Sequence, residues 1–260
     1  MKVAVVVYST WGHIYSLADK VVEGIKSTGA EVELLQVAET LSEEVLTAMH
    51  APPKRKDIPV LNPEELPKYD AFVFGFPTRF GAGPAQIFEF WGQTGGLWAS
   101  AALAGKPASF FVSSGTPGGG QEVTLRNSLS FFAHHGMPYI PLGYKDTFAE
   151  ITNLEEIHGG SSWGAGTYAG SDGSRQPTEL ELTVAYKQGV SFATHAVKFT
   201  SEPEKKSETN TATISASDST TNIATKPAAK TTETSKTARQ SQQEPAPTAT
   251  KSESKCCVIV

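Results

Sequence analysis

Val3-Ala4-Val5-Val6-Val7-Tyr8-Ser9-Thr10-Trp11-Gly12-His13-Ile14 is the stretch on which the fold turns. Val3 to Val7 is an unbroken apolar, β-branched run and reads as a strand covered on both faces. Tyr8 ends it. Ser9 to Ile14 then turns directly into a helix, because Ile14, Leu17, Ala18, Val21, Val22 and Ile25 recur at helical spacing. A buried strand, a short hydroxyl-bearing loop and a helix N-terminus together make an anion site. Free backbone N–H groups and the positive end of the helix dipole converge where Ser9 and Thr10 add hydroxyl donors. A phosphate ester fits such a place, and so does the plainer account of a Ser/Thr cap on an ordinary α/β protein.

Working outward, the composition changes sharply near residue 200. Ser201 to Lys255 holds no aromatic residue, Gly, Leu, Val or Met, and its only large aliphatics are Ile214 and Ile223. Such a segment cannot bury enough apolar surface to offset its chain entropy and is predicted to be disordered. The chain therefore reads as one domain, 1–199, a Ser/Thr-rich linker, 200–255, and a terminal motif, 256–260. The formal charge of −5 rests mainly on the domain, which gives nucleic acid nothing to bind. Met1-Lys2 leads straight into the strand, so no signal peptide is expected, and no apolar run is long enough to span a membrane. Cys256 and Cys257 are the only cysteines, which leaves the domain without a disulfide framework or a Cys-based metal site. A cytoplasmic domain is expected.

Further along, Glu31 to Val37 alternates as a more exposed second strand, and 41–49 fits a short helix. Residues 51–67 are irregular with five prolines. Residues 69–76 and 107–113 read as buried third and fourth strands, with helices over about 85–93 and up to about His135. Residues 137–142 are predicted as the fifth strand. A last helix over 177–199 is expected to present Leu182, Tyr186, Gly189, Ala193 and Val197 on one face. The Gly-rich stretch 143–176 is too long for a plain connection. Strands alternating with helices predict an α/β fold with a five-stranded parallel sheet, order 2-1-3-4-5, wound on both faces. Ligands of such sheets sit at the carboxyl edge of the strands, where the strand order reverses.

Three loops leave that edge: 9–14, 77–83 and 113–120. The first offers a phosphate cradle; the others offer small residues, flat backbone and, with Trp11 and Phe80, aromatic rings. Phosphate plus a flat heteroaromatic in this sheet points to FMN. Thr78 and Arg79 suit the pyrimidine edge of its ring, where reduction places negative charge. The backbone of Ser114-Gly115-Thr116-Pro117-Gly118-Gly119 suits close approach to the ring, although a flexible turn explains the same glycines.

Six segments, in order, carry a more specific signal: YSTWGHI (8–14), FGFPTRFG (74–81), QTGGLWASAALAGK (93–106), GGGQE (118–122), AHHGM (133–137) and AGSDGSRQP (169–177). Over residues 1–199 the chain resembles the WrbA family of NAD(P)H:quinone oxidoreductases, especially its fungal members. The resemblance implies a flavodoxin-like fold, FMN as cofactor, NAD(P)H as co-substrate and a tetramer whose sites are completed by neighbouring subunits. It also implies two-electron reduction of quinones in a ping-pong cycle. It assigns Ser9, Thr10, Trp11, Gly12, His13 and Ile14 to the phosphate loop, Thr78, Arg79 and Phe80 to one ring loop, and Ser114 to Gly119 to the other. His134 is implied to reach FMN from an adjoining chain or loop, and Trp98 to line the quinone and nicotinamide side with Trp11. Two departures stand out. Trp11 replaces a common Tyr, and Pro117 removes a backbone donor that a ring would otherwise meet. No residue is assigned as catalytic acid or base; for His13 and His135 a structural hydrogen bond is the expected role. Residues 172–177 read as a turn plus helix start, with no catalytic role.

The chain ends Cys256-Cys257-Val258-Ile259-Val260. This fits a C-a-a-X prenylation signal on Cys257 with Cys256 as a second acylation site, although Val is not among the usual final residues. Two lipids give stable anchoring where one does not. The expectation is a peripheral protein on the cytosolic face of the plasma membrane, on a coil of about fifty-five residues that spans roughly 40 Å. A membrane-associated scaffold of the same fold with little NAD(P)H turnover is the alternative that Trp11, Pro117 and the long tail favour.

Overall fold

Three buried apolar runs and two more polar edge strands build the sheet. In the computed structural model, which describes residues 1–200, these are β1 (Lys2–Val7), β2 (Glu31–Gln36), β3 (Ala71–Pro77), β4 (Ala108–Ser114) and β5 (Gly166–Tyr168). They pair in parallel in the order β2-β1-β3-β4-β5, the expected order. The helices are α1 (His13–Ser27), α2 (Glu43–Ala48), α3 (Ala85–Gly92), α4 (Gly95–Ala99), α5 (Gln121–His135), α6 (Phe148–Ile151) and α7 (Glu179–Thr200). None of the described helices is long and apolar enough to cross a membrane.

Because side chains alternate along a strand, β1 feeds two cores at once. Val3, Val5 and Val7 face α1 and α7, where Leu17, Val21, Val184 and Phe192 are buried with them. Ala4 and Val6 face an aromatic layer built on Phe72, Phe74, Phe76, Phe110, Trp91 and Phe132. Phe110 and Phe132 stack at 4.2 Å between ring centroids, and Trp91 and Phe131 at 4.6 Å. Two glycines let α1 and α7 meet backbone to backbone. A Cβ on Gly24 would lie 2.1 Å from the Tyr186 carbonyl oxygen, and one on Gly189 2.2 Å from that of Val21.

The fifth strand is not the predicted one. Residues 137–142 run beside the start of β4 through a single bridge, Ala108 with Tyr139, flanked by two hydrogen bonds of 2.8 Å. Pro138 and Pro141 lack the N–H groups that a longer ladder needs. The strand comes instead from the Gly-rich stretch, where Gly166 pairs with Val112 and Tyr168 with Ser114.

That edge explains a second difference, in the last helix. Its buried face is Glu181, Val184, Ala185, Gln188, Gly189, Phe192, Ala193 and Ala196, so Gly189 and Ala193 face in as expected while Val197 is exposed. Gln188 donates to the Phe110 carbonyl at 2.7 Å and accepts from the Ala165 N–H at 2.8 Å. The helix turns polar side chains inward because a three-residue edge strand leaves backbone groups that need partners.

Candidate functional site

β1, β3 and β4 end side by side, and their following loops form one cleft lined by Ser9, Thr10, Trp11, His13, Thr78, Arg79 and Ser114. In the first loop, Ser9 Oγ accepts from the Gly12 N–H at 3.0 Å. Gly12 caps α1 at φ +100°, a conformation that leaves room for a Cβ but penalises one on torsional grounds. No side chain caps the helix and its first turn holds no acidic residue. The first helical amide bond runs from Ser16 to the Gly12 carbonyl, so the N–H groups of His13, Ile14 and Tyr15 have no acceptor among the described residues. A 15-residue helix with a bare N-terminus is an anion site by its own physics. Ile14 contributes only its backbone there, since its side chain is buried in the core.

The second loop supplies a cation. Arg79 donates to the Thr78 carbonyl at 2.8 Å and to Thr10 Oγ1 at 3.1 Å, and its guanidinium lies 5.7 Å from the centre of the Trp11 ring. Burial pushes its pKa down, and among the described residues no carboxylate pairs with it. Arginine stays protonated at any ordinary pH, so the loop holds a partly desolvated positive charge without a counter-ion. The Trp11 Nε1–H donates to the Met49 carbonyl at 3.2 Å, which fixes the indole. Phe80 takes φ +52° and is 88% exposed, standing on the rim.

In the third loop, Ser114 Oγ donates to the Thr116 carbonyl at 3.0 Å and accepts from Gln121 at 3.1 Å. Pro117–Gly119 form a single 3-10 turn. Gly119 must be small, because a Cβ there would lie 2.7 Å from that of Ser114. Thr116, Pro117 and Gly118 are exposed and Gly115 is half-buried; none of the four lines the cleft. Bare N–H donors from the first loop, a cation from the second and the small residues of the third fit a flavin phosphate ester.

Trp98 and His134 lie elsewhere. They share a groove of about 430 Å³ with Phe88, Trp91, Thr94 and Phe131, and neither lines the loop cleft. Trp98 is 57% exposed. His13 and His135 have the structural partners expected of them: His13 Nε2 donates to the Arg175 carbonyl at 2.8 Å, and His135 Nε2 lies 2.9 Å from Thr94 Oγ1. Burial lowers the pKa of His135, with His134 beside it adding to the effect. Cys256 and Cys257 lie outside the described residues, as do the linker and the tail. No cluster that could hold a metal ion occurs among the described residues.

Three residues that the sequence did not single out support the cleft. Glu181 is fully buried and accepts from Gly159 N–H at 2.7 Å, Thr167 Oγ1 at 2.7 Å, Thr178 N–H at 2.9 Å and both terminal nitrogens of Arg175 at 3.1 Å. Arg175 also donates to the Tyr168 and Ile157 carbonyls. His13 thus ties the first loop to a knot that joins β5 and α7. The signal was present: Thr178-Glu179-Leu180-Glu181 is a capping box, closed by the Glu181 N–H to Thr178 Oγ1 at 3.3 Å. Lys54, from the proline-rich stretch, donates to the Ser9 carbonyl at 2.6 Å and pairs with Glu39 at 2.7 Å. It lines a cavity of about 300 Å³ against the first loop, with Ser9, Thr10, Gly12, Ser16 and Arg55.

Residues 1–145 match the family described as NADPH-dependent FMN reductase. The chain is 56% identical over 217 residues to the NAD(P)H quinone oxidoreductase YCP4 of Candida albicans, covering 84% of this chain and 74% of that one. It is 53% identical over 198 residues to protoplast secreted protein 2 of Saccharomyces cerevisiae, covering 76% and 99%. Among solved structures, a flavodoxin, WrbA-like protein from Agrobacterium tumefaciens superposes with a TM-score of 0.52 at 21% identity, covering 76% of this chain and 98% of that one. That likeness shows the flavodoxin-like fold. With the matched family spanning the three loops of the cleft, this chain belongs to the NADPH-dependent FMN reductase family.

Proposed function

We propose that this chain reduces quinones by two electrons at the expense of NAD(P)H, with FMN held in the loop cleft. The observation that carries the reading is the pairing of bare α1 N–H groups with the uncompensated Arg79 charge. The quinone oxidoreductase YCP4, more than half identical, supports it. FMN, when bound, supplies the exchange of two electrons between nicotinamide and quinone.

The residues of the chain do the rest. The N–H groups of His13, Ile14 and Tyr15 and the Ser9 hydroxyl bind the phosphate. Thr78 and Arg79 orient the pyrimidine edge, and the guanidinium favours negative charge there because little water competes with it. The small residues of Ser114 to Gly119 admit a flat ring, and Pro117 leaves one donor fewer than another residue would. Trp98 and His134 belong to a surface that a neighbouring copy uses to close the cleft, in a tetramer. Cys257 and Cys256, once lipidated, hold the enzyme at the cytosolic face of the plasma membrane. Replacing both with serine should release it to the soluble fraction; unchanged membrane association would retire that part.

The main test is anaerobic stopped-flow absorbance of the FMN-loaded protein mixed with NADH or NADPH and then with benzoquinone. Bleaching of the flavin band and rapid recovery on quinone are expected. Retention of FMN without bleaching would favour the membrane-associated scaffold.

A further inference from the structure

Beside the cleft lies a second recess of about 350 Å³, lined by Trp11, His13, Met49, His50, Ser171, Asp172 and Gly173. Trp11 and His13 also line the cleft, so a ligand can lie in both without leaving the surface. The recess is made by three separate pieces of chain. The indole is fixed by its bond to the Met49 carbonyl. Met49 and His50 follow α2, with His50 at φ +53°. The 171–173 turn is closed by the Gly173 N–H to the Gly170 carbonyl at 3.3 Å. A fixed indole with an adaptable thioether beside it suits a purine.

The polar chemistry of the recess is asymmetric. Asp172 Oδ1 accepts from the Ser174 N–H at 3.1 Å and from its hydroxyl at 2.9 Å. These bonds hold the carboxyl below the usual carboxylate range, so it is ionised at neutral pH. Oδ2 has no partner among the described residues, and no Lys or Arg lines the recess. A carboxylate with one open oxygen accepts from a ribose hydroxyl and repels a phosphate on the same carbon.

We propose that this recess receives the adenosine end of the reduced dinucleotide, and that Asp172 selects NADH over NADPH by accepting from the ribose 2′-hydroxyl. The proposal rests on the reductase reading above. It departs from the family description, which names NADPH. The principle is that of dinucleotide folds in which an acidic residue holds the 2′-hydroxyl and a basic one accommodates the 2′-phosphate.

The test uses full-length, FMN-loaded protein and two fragments that cannot reduce a flavin, ADP-ribose and 2′-phospho-ADP-ribose, titrated by calorimetry. ADP-ribose is expected to bind at least about tenfold tighter, the worth of one hydrogen bond to a charged acceptor. Asp172→Asn keeps the Oδ1 acceptor of the turn and should remove most of that difference; Asp172→Arg should invert it. Unchanged melting temperatures show that both variants fold. Equal affinity for the two fragments, no binding of either, or discrimination that survives both substitutions would overturn the proposal. Stopped-flow reduction separates the two readings. Equal bleaching by NADH and NADPH, unaffected at Asp172, sinks the selectivity and keeps the reductase. Fragment discrimination with no bleaching sinks the reductase and keeps the recess.

Discussion

Two polar regions adjoin in this molecule and are built on opposite plans. In the knot around Glu181, every buried polar atom of the Arg175–Glu181 pair has a partner, five hydrogen bonds reaching the carboxylate alone. In the cleft, the first-turn amides of α1 and the charge of Arg79 are left without one. His13 touches both, with its backbone in the cleft and its ring on the Arg175 carbonyl. The difference separates structure from function. A saturated network fixes where a loop stands, whereas unpaired donors cost stability unless a ligand meets them.

The sharpest way to break the comparison is to unsaturate the knot. Glu181→Ala leaves the Gly159 and Thr178 amides and the Thr167 hydroxyl without their acceptor and the Arg175 guanidinium without its counter-ion. Glu181 is fully buried while Arg175 is partly solvated, so the loss comes mainly from buried donors left unpaired, about 2–4 kcal/mol in all. Urea denaturation of the apoprotein should show a loss of that size; a loss within about 0.5 kcal/mol, the range of ordinary surface changes, would mean that the network carries no load.

Arg79→Gln asks the converse. The side chain has no carboxylate to lose and a partly desolvated charge is removed with its two hydrogen bonds, so stability should change by no more than about 1 kcal/mol. FMN affinity should fall by about ten- to a hundredfold, the worth of a charge-assisted hydrogen bond. Fluorescence titration of the apoprotein with FMN measures it. If stability falls while affinity stands, Arg79 belongs with the knot.

The same contrast explains what the sequence could show. The Val3–Val7 run, the helical spacing from Ile14 and the hydroxyl-bearing loop are local patterns, and the structure places them as read. The three loops were legible because they follow strands whose apolar character is itself local. The knot was not, because Glu181 and Gln188 are charged and polar residues turned inward to serve backbone groups of 159–167, a demand set by the edge of the sheet. The fifth strand failed for a related reason. Residues 137–142 have a strand's apolar content, but Pro138 and Pro141 deny it a ladder, whereas Gly166-Thr167-Tyr168 has little apolar content and wins through its position against β4. Trp98 shows the limit in another way: its exposure is a property of the folded surface, which no spacing reveals.

Glu39 stands between the two plans and gives the smallest effect. It accepts from Tyr8, Gln86 and Lys54, and through Lys54 it touches the Ser9 carbonyl of the cleft. Burial opposes its ionisation, but Lys54, the Leu41 N–H and the Tyr8 hydroxyl outweigh it and hold the carboxyl below its ordinary range. A carboxyl whose folded pKa is depressed stabilises the fold above its unfolded value of about 4.3 and loses that contribution as pH falls through the folded one. Stability should therefore drop on acidification below about pH 4.5, where the unfolded chain begins to bind the proton and the folded chain does not. In Glu39→Gln the drop over that window should be shallower, while stability at pH 7 changes by less than about 1 kcal/mol because the pair is partly solvated. Melting temperatures from pH 3 to pH 7 for the two proteins decide it. Parallel curves would show that the Lys54–Glu39 pair does not hold the carboxyl down, and that Lys54 belongs with the cleft through the Ser9 carbonyl rather than with the saturated interior.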